Sequence, residues 1–345
     1  MQYQNLGSSD LKVSRVCLGT MTWGGQNSQA QAFEQLDLAY DRGVNFFDTA
    51  ELYPFPVTAD NQGDTERIIG RWLKARGNRD RCVIASKAVG PGAFVSHIRS
   101  GPRLNKDHIR RAIIGSLERL GTDYLDLYQL HWPERATNFF SQLSYSHQPE
   151  KDGVPLIESL QALAELVDEG LVRQIGVSNE SAWGVMTLKQ LAKQHDLPLI
   201  ASVQNPYSLL NRSAEVGLCE VLQREQIDLL PYSPLGFGVL SGKYLNDARP
   251  EGSRLKLFPS YARYLNEPGV VSTAEYVALA RSYGLDPSQM ALAFIHSRPF
   301  VASTIIGATT MEQLRCNIDS IELTLNDEVL TQIEAIHSRY PIPCP

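Results

Sequence analysis

Short apolar runs rich in β-branched residues alternate along this chain with longer amphipathic stretches. Eight of the runs read as strands: Arg15–Gly19, Val44–Asp48, Cys82–Lys87, Leu125–His131, Val172–Ser178, Ile200–Gln204, Asp228–Tyr232 and Val301–Ile306. Most are rich in Val, Ile and Leu, as strands covered by helices should be. The segments between them carry a helical period. Ile109, Ile113, Leu117 and Leu120 step by four, four and three, which places Arg110, Arg111, Glu118 and Arg119 on the opposite, wet side. Leu156, Leu160, Leu163 and Val167 repeat the pattern against Glu158, Gln161, Glu165 and Asp168. Such a stripe buries one face of a helix and wets the other. Gly43, Gly121 and Gly170 follow three of these helices, where a left-handed C-terminal cap sits.

Strand and helix repeated eight times predict right-handed crossovers and a parallel sheet. Eight units favour a closed (β/α)₈ barrel, a TIM barrel, forming one domain over residues 1–345. Ahead of the first unit, Tyr3–Leu6 and Leu11–Val13 flank Gly7-Ser8-Ser9-Asp10. That pattern predicts a small β-hairpin plugging the N-terminal mouth. Three connections exceed the roughly 2–6 residues usual for α/β loops. They are Pro54–Gln62, Glu134–Gly153 and the stretch from about Leu235 to Gly269. All three follow strands, so they crown the C-terminal face, where barrel active sites are built.

Composition changes the picture by exclusion. The chain has 345 residues, 43% hydrophobic and 20% charged, which is ordinary for a globular protein. That length buries a sizeable core without staples. Lys+Arg number 32 against Asp+Glu 38, a net charge of −6. This argues against nucleic-acid binding, while leaving room for a local basic pocket for one small anion. The five cysteines are odd in number and show no C-x-x-C, so neither a disulfide framework nor a zinc site is expected. The seven histidines show no H-x-x-x-H or H-x-E spacing, so no metal is expected. No apolar run suits a signal peptide or a membrane span. The expectation is a cytoplasmic protein with reduced thiols.

Asp48, Lys87 and His131 end three successive strands, and Tyr53 lies five residues past Asp48. A lysine buried beside an aspartate stays charged. Its charge lowers the pKa of a nearby phenol, which gives a tyrosine able to donate a proton at neutral pH. A histidine next to the pair can hold a carbonyl oxygen in place.

Longer motifs join these residues. They are Asp48-Thr49-Ala50-Glu51-Leu52-Tyr53, then Gly63 with Glu66 and Gly70, Ala85-Ser86-Lys87 and Gln129-Leu130-His131-Trp132. Gly176-Val177-Ser178-Asn179, Val203-Gln204-Asn205-Pro206-Tyr207, Tyr232-Ser233-Pro234-Leu235 and Ile306-Gly307-Ala308-Thr309 follow in order. With these motifs the chain resembles the aldo-keto reductase superfamily over nearly its whole length. Within the superfamily it looks most like the Tas-type bacterial NADP(H)-dependent branch and the related potassium-channel β-subunits.

The resemblance implies reduction of an aldehyde or ketone by hydride transfer from NADPH. Tyr53 would be the general acid, Lys87 would lower its pKa, Asp48 would pair with Lys87, and His131 would position the carbonyl. Gly19, Thr20 and Met21 would line the nicotinamide side, and Ser178, Asn179 and Gln204 would take its carboxamide. Tyr232 would stack on the ring. Ser233, Pro234, Leu235, Gly238 and Lys243 would follow the pyrophosphate, and Gly307, Thr309, Gln313 and Asn317 the adenosine end. NADP carries a 2′-phosphate, which needs charge-assisted donors. Lys243 and Arg254 offer charge, and no acidic residue stands at Thr309 or Gln313. The chain departs from the family at Pro54-Phe55-Pro56, which reads as an insertion beside the acid. It also departs in the long 134–153 loop and at Cys316, which stands where the channel subunits carry an acidic residue. A redox-sensing, NADP(H)-binding subunit with little turnover is the alternative reading, and the oligomeric state stays open.

Overall fold

A computed structural model describes residues 1–345 of the chain. Two short strands, β1 (Tyr3–Asn5) and β2 (Lys12–Ser14), pair antiparallel. Their turn requires glycine at position 7. The φ there is +57°, and a Cβ would sit 2.4 Å from the Ala201 carbonyl oxygen. The Gly7 amide donates to Asp228 Oδ2 at 2.6 Å, which pins the hairpin to the barrel floor. Leu6, Leu11 and Val13 bury themselves among Phe46, Val83 and Leu127, inside the barrel. The predicted plug is present.

Eight parallel strands follow: β3 (Val16–Gly19), β4 (Phe46–Asp48), β5 (Val83–Ala88), β6 (Leu125–Leu130), β7 (Val172–Ser178), β8 (Ile200–Gln204), β9 (Asp228–Leu229) and β10 (Thr304–Ile306). They pair in the order β10-β3-β4-β5-β6-β7-β8-β9. Hydrogen bonds across the remaining gap close the sheet: Leu229 N to Phe300 O at 2.8 Å, Ala302 N to Leu229 O at 3.1 Å, and Ile305 N to Pro231 O at 2.9 Å. The fold is the (β/α)₈ barrel. β9 is far shorter than the predicted Asp228–Tyr232 run, because Pro231 has no N–H to give a ladder.

The helices packed around the strands are α1 (Gln29–Asp41), α2 (Asp64–Arg76), α3 (Lys106–Leu120), α4 (Leu156–Asp168), α5 (Ala182–His195) and α6 (Leu218–Glu225). After β9 come the single turn α7 (Arg254–Leu257), then α8 (Glu267–Ser282) and α9 (Pro287–His296). α10 (Met311–Asp319) and α11 (Asp327–Arg339) complete the chain. One apolar cluster runs between these helices and the outer face of the sheet.

One helical assignment is corrected. Arg119 does not face water: its Nε donates to Glu66 Oε2 at 2.6 Å, and that carboxylate is wholly buried. α2 lies too close for a wet face there. A Cβ on Gly70 of α2 would stand 2.5 Å from the Leu120 carbonyl oxygen.

The long connections lie after β4, β6 and β9, on the C-terminal face. The third is not a bare loop. It holds 3₁₀ turns at Gly236–Ser241, Leu245–Asp247 and Ala262–Tyr264 as well as α7. No helix is long and apolar enough to cross a membrane.

Candidate active site

The ends of β4, β5 and β6 bring four side chains together. Lys87 lies on β5 with its whole side chain buried, and its Nζ meets Asp48 Oδ2 at 2.6 Å. The same Nζ donates to the Thr49 carbonyl at 2.7 Å. Tyr53 places its ring 4.9 Å from Lys87 Nζ, and its ring centroid lies 5.8 Å from that of His131. His131 follows β6 by one residue and is held by its own amide, which donates to Ala88 O at 2.9 Å. Its Nδ1 is buried with no protein partner.

The electrostatics follow from this packing. Burial pulls the Lys87 ammonium down, but Asp48 and then Tyr53 more than reverse that, so it stays charged. Burial, reinforced by Lys87, holds His131 well below the usual imidazole range, so it is neutral at pH 7. At Tyr53 burial raises the phenol, and Lys87 pulls it down. The net shift is upward, which corrects the expectation of a lowered pKa. Lys87 acts in the expected direction, but desolvation is larger. At neutral pH the phenol therefore carries its proton.

Asp48 is fixed from its other side. Gln204 Nε2 donates to Asp48 Oδ1 at 2.8 Å, and Gln129 Nε2 reaches the same oxygen at 3.4 Å. Thr20 Oγ1 donates to the Asp48 carbonyl at 2.8 Å, so Thr20 serves the barrel wall. Ser178 Oγ donates to Gln204 O at 2.7 Å. Asn179 Nδ2 donates to His131 O at 2.8 Å, and Asn179 Oδ1 accepts from Tyr232 OH at 2.6 Å. The residues predicted for a carboxamide and its stacking partner thus form one network with the tetrad.

Beyond Tyr232 the backbone turns through unusual angles. Ser233 and Phe237, neither of them glycine, have φ of 53° and 56°. Strain of this kind collects at ligand sites. Lys243 lies 5.2 Å from the Tyr244 ring centroid and Arg254 lies 5.1 Å from that of Phe237, and neither has a carboxylate partner. At the end of β10, Thr309 N and Oγ1 both donate to Gln313 Oε1, at 3.0 and 3.1 Å. Asn317 Nδ2 donates to Gly307 O at 3.1 Å. No direct contact joins Lys243 or Arg254 to this group.

Two residues the sequence reading missed span that gap. Gln26 Nε2 donates to Gly252 O at 2.7 Å, and Asn27 Nδ2 donates to Thr309 O at 3.0 Å. Gln26 Oε1, Asn27 Oδ1 and Ser253 Oγ are buried with no protein partner. Two cations without carboxylate partners, and three orphan oxygens on segments 26–27 and 253 between them and Thr309, suit a phosphorylated, hydroxyl-rich ligand. The rim beside Tyr53 is aromatic. Phe55 stacks on Tyr261 at 5.7 Å, and Trp132 lies 5.6 Å from Phe94 and 6.0 Å from Phe140.

The Aldo/keto reductase family model matches residues 15–338. The chain belongs to the aldo/keto reductase family. The relatives of this aldo/keto reductase include Protein tas of Escherichia coli, 53% identical over the whole of both chains. A putative voltage-gated potassium channel subunit beta of Schizosaccharomyces pombe is 31% identical, over 99% of this chain and 94% of its own. Norsolorinic acid reductase stcV of Emericella nidulans is 30% identical over 94% of this chain and 78% of its own. The family supports oxidoreductase chemistry for this reductase.

Proposed function

We propose that this oxidoreductase reduces an aldehyde or ketone to an alcohol with NADPH, as a cytoplasmic enzyme, through Tyr53, Lys87, Asp48 and His131. The observation that carries the reading is the wholly buried Lys87–Asp48 pair, 2.6 Å long, beneath a protonated Tyr53.

Burying such a pair is costly, and burying it under a phenol needs a purpose. When bound, NADPH supplies a hydride to the carbonyl carbon. Gly19 and Met21 would border its nicotinamide, with Asn179, Ser178 and Gln204 at the carboxamide and Tyr232 against the ring. Ser233, Pro234, Leu235 and Gly238 would follow the pyrophosphate, and Lys243 and Arg254 would meet its phosphates. Gly307, Thr309, Gln313 and Asn317, with Asn27, would take the adenosine.

The chain's own residues manage the proton. Tyr53 Oη donates it to the carbonyl oxygen as negative charge develops there. The phenolate left behind is stabilised by the Lys87 ammonium, whose charge Asp48 fixes in place. Neutral His131 offers a hydrogen bond to the same oxygen and orients it. Solvent then reprotonates Tyr53. The aromatic rim of Phe55, Phe94, Trp132 and Phe140 excludes water and favours apolar carbonyls.

Steady oxidation of NADPH by purified protein, measured against a panel of aldehydes and ketones, tests the reading. Turnover with at least one apolar carbonyl is expected. Tight NADPH binding with no turnover across the panel overturns it in favour of a redox-sensing role.

A further inference from the structure

We propose that Glu51, gripped by Arg99, is a positioning residue that sets the spacing between the proton donor Tyr53 and Lys87. The inference rests on the reading of Tyr53 as the acid.

Glu51 stands two residues before Tyr53, and every polar group it has is in use. Its amide donates to Lys87 O at 3.3 Å, and its carbonyl accepts from Gln62 Nε2 at 2.5 Å. Its Oε1 accepts from Val89 N at 2.7 Å and from Arg99 Nη2 at 2.9 Å. Its Oε2 pairs with Arg99 Nη1, which makes the contact a two-pronged fork. The Glu51 side chain is 2% exposed and that of Arg99 10%. Two of these bonds end on the C-terminal end of β5, at Lys87 and two residues past it. One residue thus fastens the segment carrying Tyr53 to the strand carrying Lys87. The same junction touches the third partner. A Cβ on Gly90 would stand 2.7 Å from Nε1 of Trp132, the neighbour of His131.

The backbone under Arg99 is a second, independent observation. Arg99, Ser100 and Gly101 have φ of 49°, 57° and 101° in succession. Left-handed backbone at two consecutive non-glycine residues persists only when the surroundings demand it. Here it turns the guanidinium inward onto Glu51. A fork contact fixes direction as well as distance, which apolar packing at the same place would not.

Spacing matters because of what Lys87 does. Its pull on the phenolate falls with separation, and in a dry site that fall is steep. Proton transfer also tolerates little misplacement: a shift of about 1 Å can cost about 100-fold. The charged groups that act on Tyr53 are Lys87 from β5, Asp48 from β4 and, most weakly and at long range, Arg254 from α7; His131, after β6, is neutral. Of the four, only Lys87 follows directly from the Glu51 bonds.

The test uses the full chain, NADPH and a carbonyl found in the screen. Three variants are made: Glu51→Gln, Arg99→Lys and the double variant Glu51→Gln with Arg99→Met. The double variant leaves no charge buried alone, and Arg99→Lys keeps the charge but loses the fork. For all three, kcat falls about 10- to 100-fold. The KM of the carbonyl and the Kd of NADPH stay within about threefold, because neither is touched. In the reverse direction, alcohol oxidation needs the Tyr53 phenolate. The acid limb of its pH profile moves upward as Lys87 draws away. Wild-type kcat and an unchanged pH profile in folded Arg99→Lys or in the double variant overturn the proposal. Tyr53→Phe is run beside them. If it keeps its turnover, the reading of the acid fails. If it loses turnover while the Glu51 and Arg99 variants match wild type, only the present inference fails.

Discussion

At Tyr53 two effects oppose each other, and their balance sets the chemistry. Burial raises the phenol and Lys87 lowers it; burial is the larger. A phenol protonated at neutral pH is what a reductase needs before transfer, and the nearby ammonium is what it needs after. Tyr53→Phe keeps the ring and removes the proton. Its kcat is expected to fall about 10²- to 10⁴-fold, the range for a lost general acid. The Kd of NADPH should hold, which a cofactor titration checks; undiminished kcat would show that the proton comes from elsewhere. The tetrad was legible in sequence because parallel barrel strands all end on one rim, so Asp48, Lys87 and His131 had to meet. Gln129 was not. It stood in a motif but had no role until its amide was seen at Asp48 Oδ1. Gln26 was equally silent, since its partner Gly252 lies 226 residues away.

Among elements, the strands were legible and the crossings between helices were not. A run of apolar, branched residues names a covered strand whatever its neighbours do. Which side of a helix is wet depends on what packs beside it. Arg119 was misread because the stripe of α3 ignores α2, which brings the buried Glu66 to its flank. The loop after β6 is a further case. Its ends are tied together and to the barrel: Glu134 Oε1 accepts from Val154 N at 3.2 Å, and Arg135 Nη1 donates to Glu180 Oε2 at 2.9 Å. The middle carries the exposed rings Phe140 and Tyr145 and reaches Trp132. Replacing residues 139–146 with a short Gly/Ser link keeps both anchors. The KM of bulky carbonyls should then change severalfold, while small aldehydes and the Kd of NADPH stay as they were. Weakened NADPH binding would mean that this loop borders the cofactor.

On the scale of the whole molecule, the hairpin plug closes one end of the barrel and leaves the chemistry to the other. The packing behind β10 has its own titratable group. His296, at the end of α9, faces Thr304 Oγ1 at 3.0 Å and Ser320 Oγ at 3.1 Å. Burial, then Arg15, pushes its pKa down to about 3. A folded-state value below the unfolded one of about 6.5 means that stability is lost as pH falls through that window. The urea midpoint should therefore drop between pH 7 and about pH 4, and His296→Gln should flatten the drop. An equally steep drop in that variant would assign the acid limb to other groups.

Cofactor choice is also a property of the whole chain, because Gln26 and Asn27 tie Gly252 to Thr309, and these contacts exist only in the folded state. A ligand bound there stabilises the fold by mass action, by about 2.7 kcal/mol at one hundred times its Kd. That makes thermal unfolding a readout of which nicotinamide is bound. The net charge of −6 repels a phosphorylated ligand at long range, so binding must rest on local cations. Lys243 and Arg254 are such cations, and no carboxylate of the chain neutralises either. A 2′-phosphate held by one charged hydrogen bond gains about 1.5–3 kcal/mol, a factor of ten or more in affinity. NADPH should therefore raise the melting temperature further than NADH at equal concentration. Arg254→Ala should bring the NADPH shift down to the NADH shift while leaving the latter where it was. Equal shifts in the wild type would show that these residues do not read the 2′-phosphate. Equal loss with both nucleotides in the variant would place Arg254 on the shared pyrophosphate.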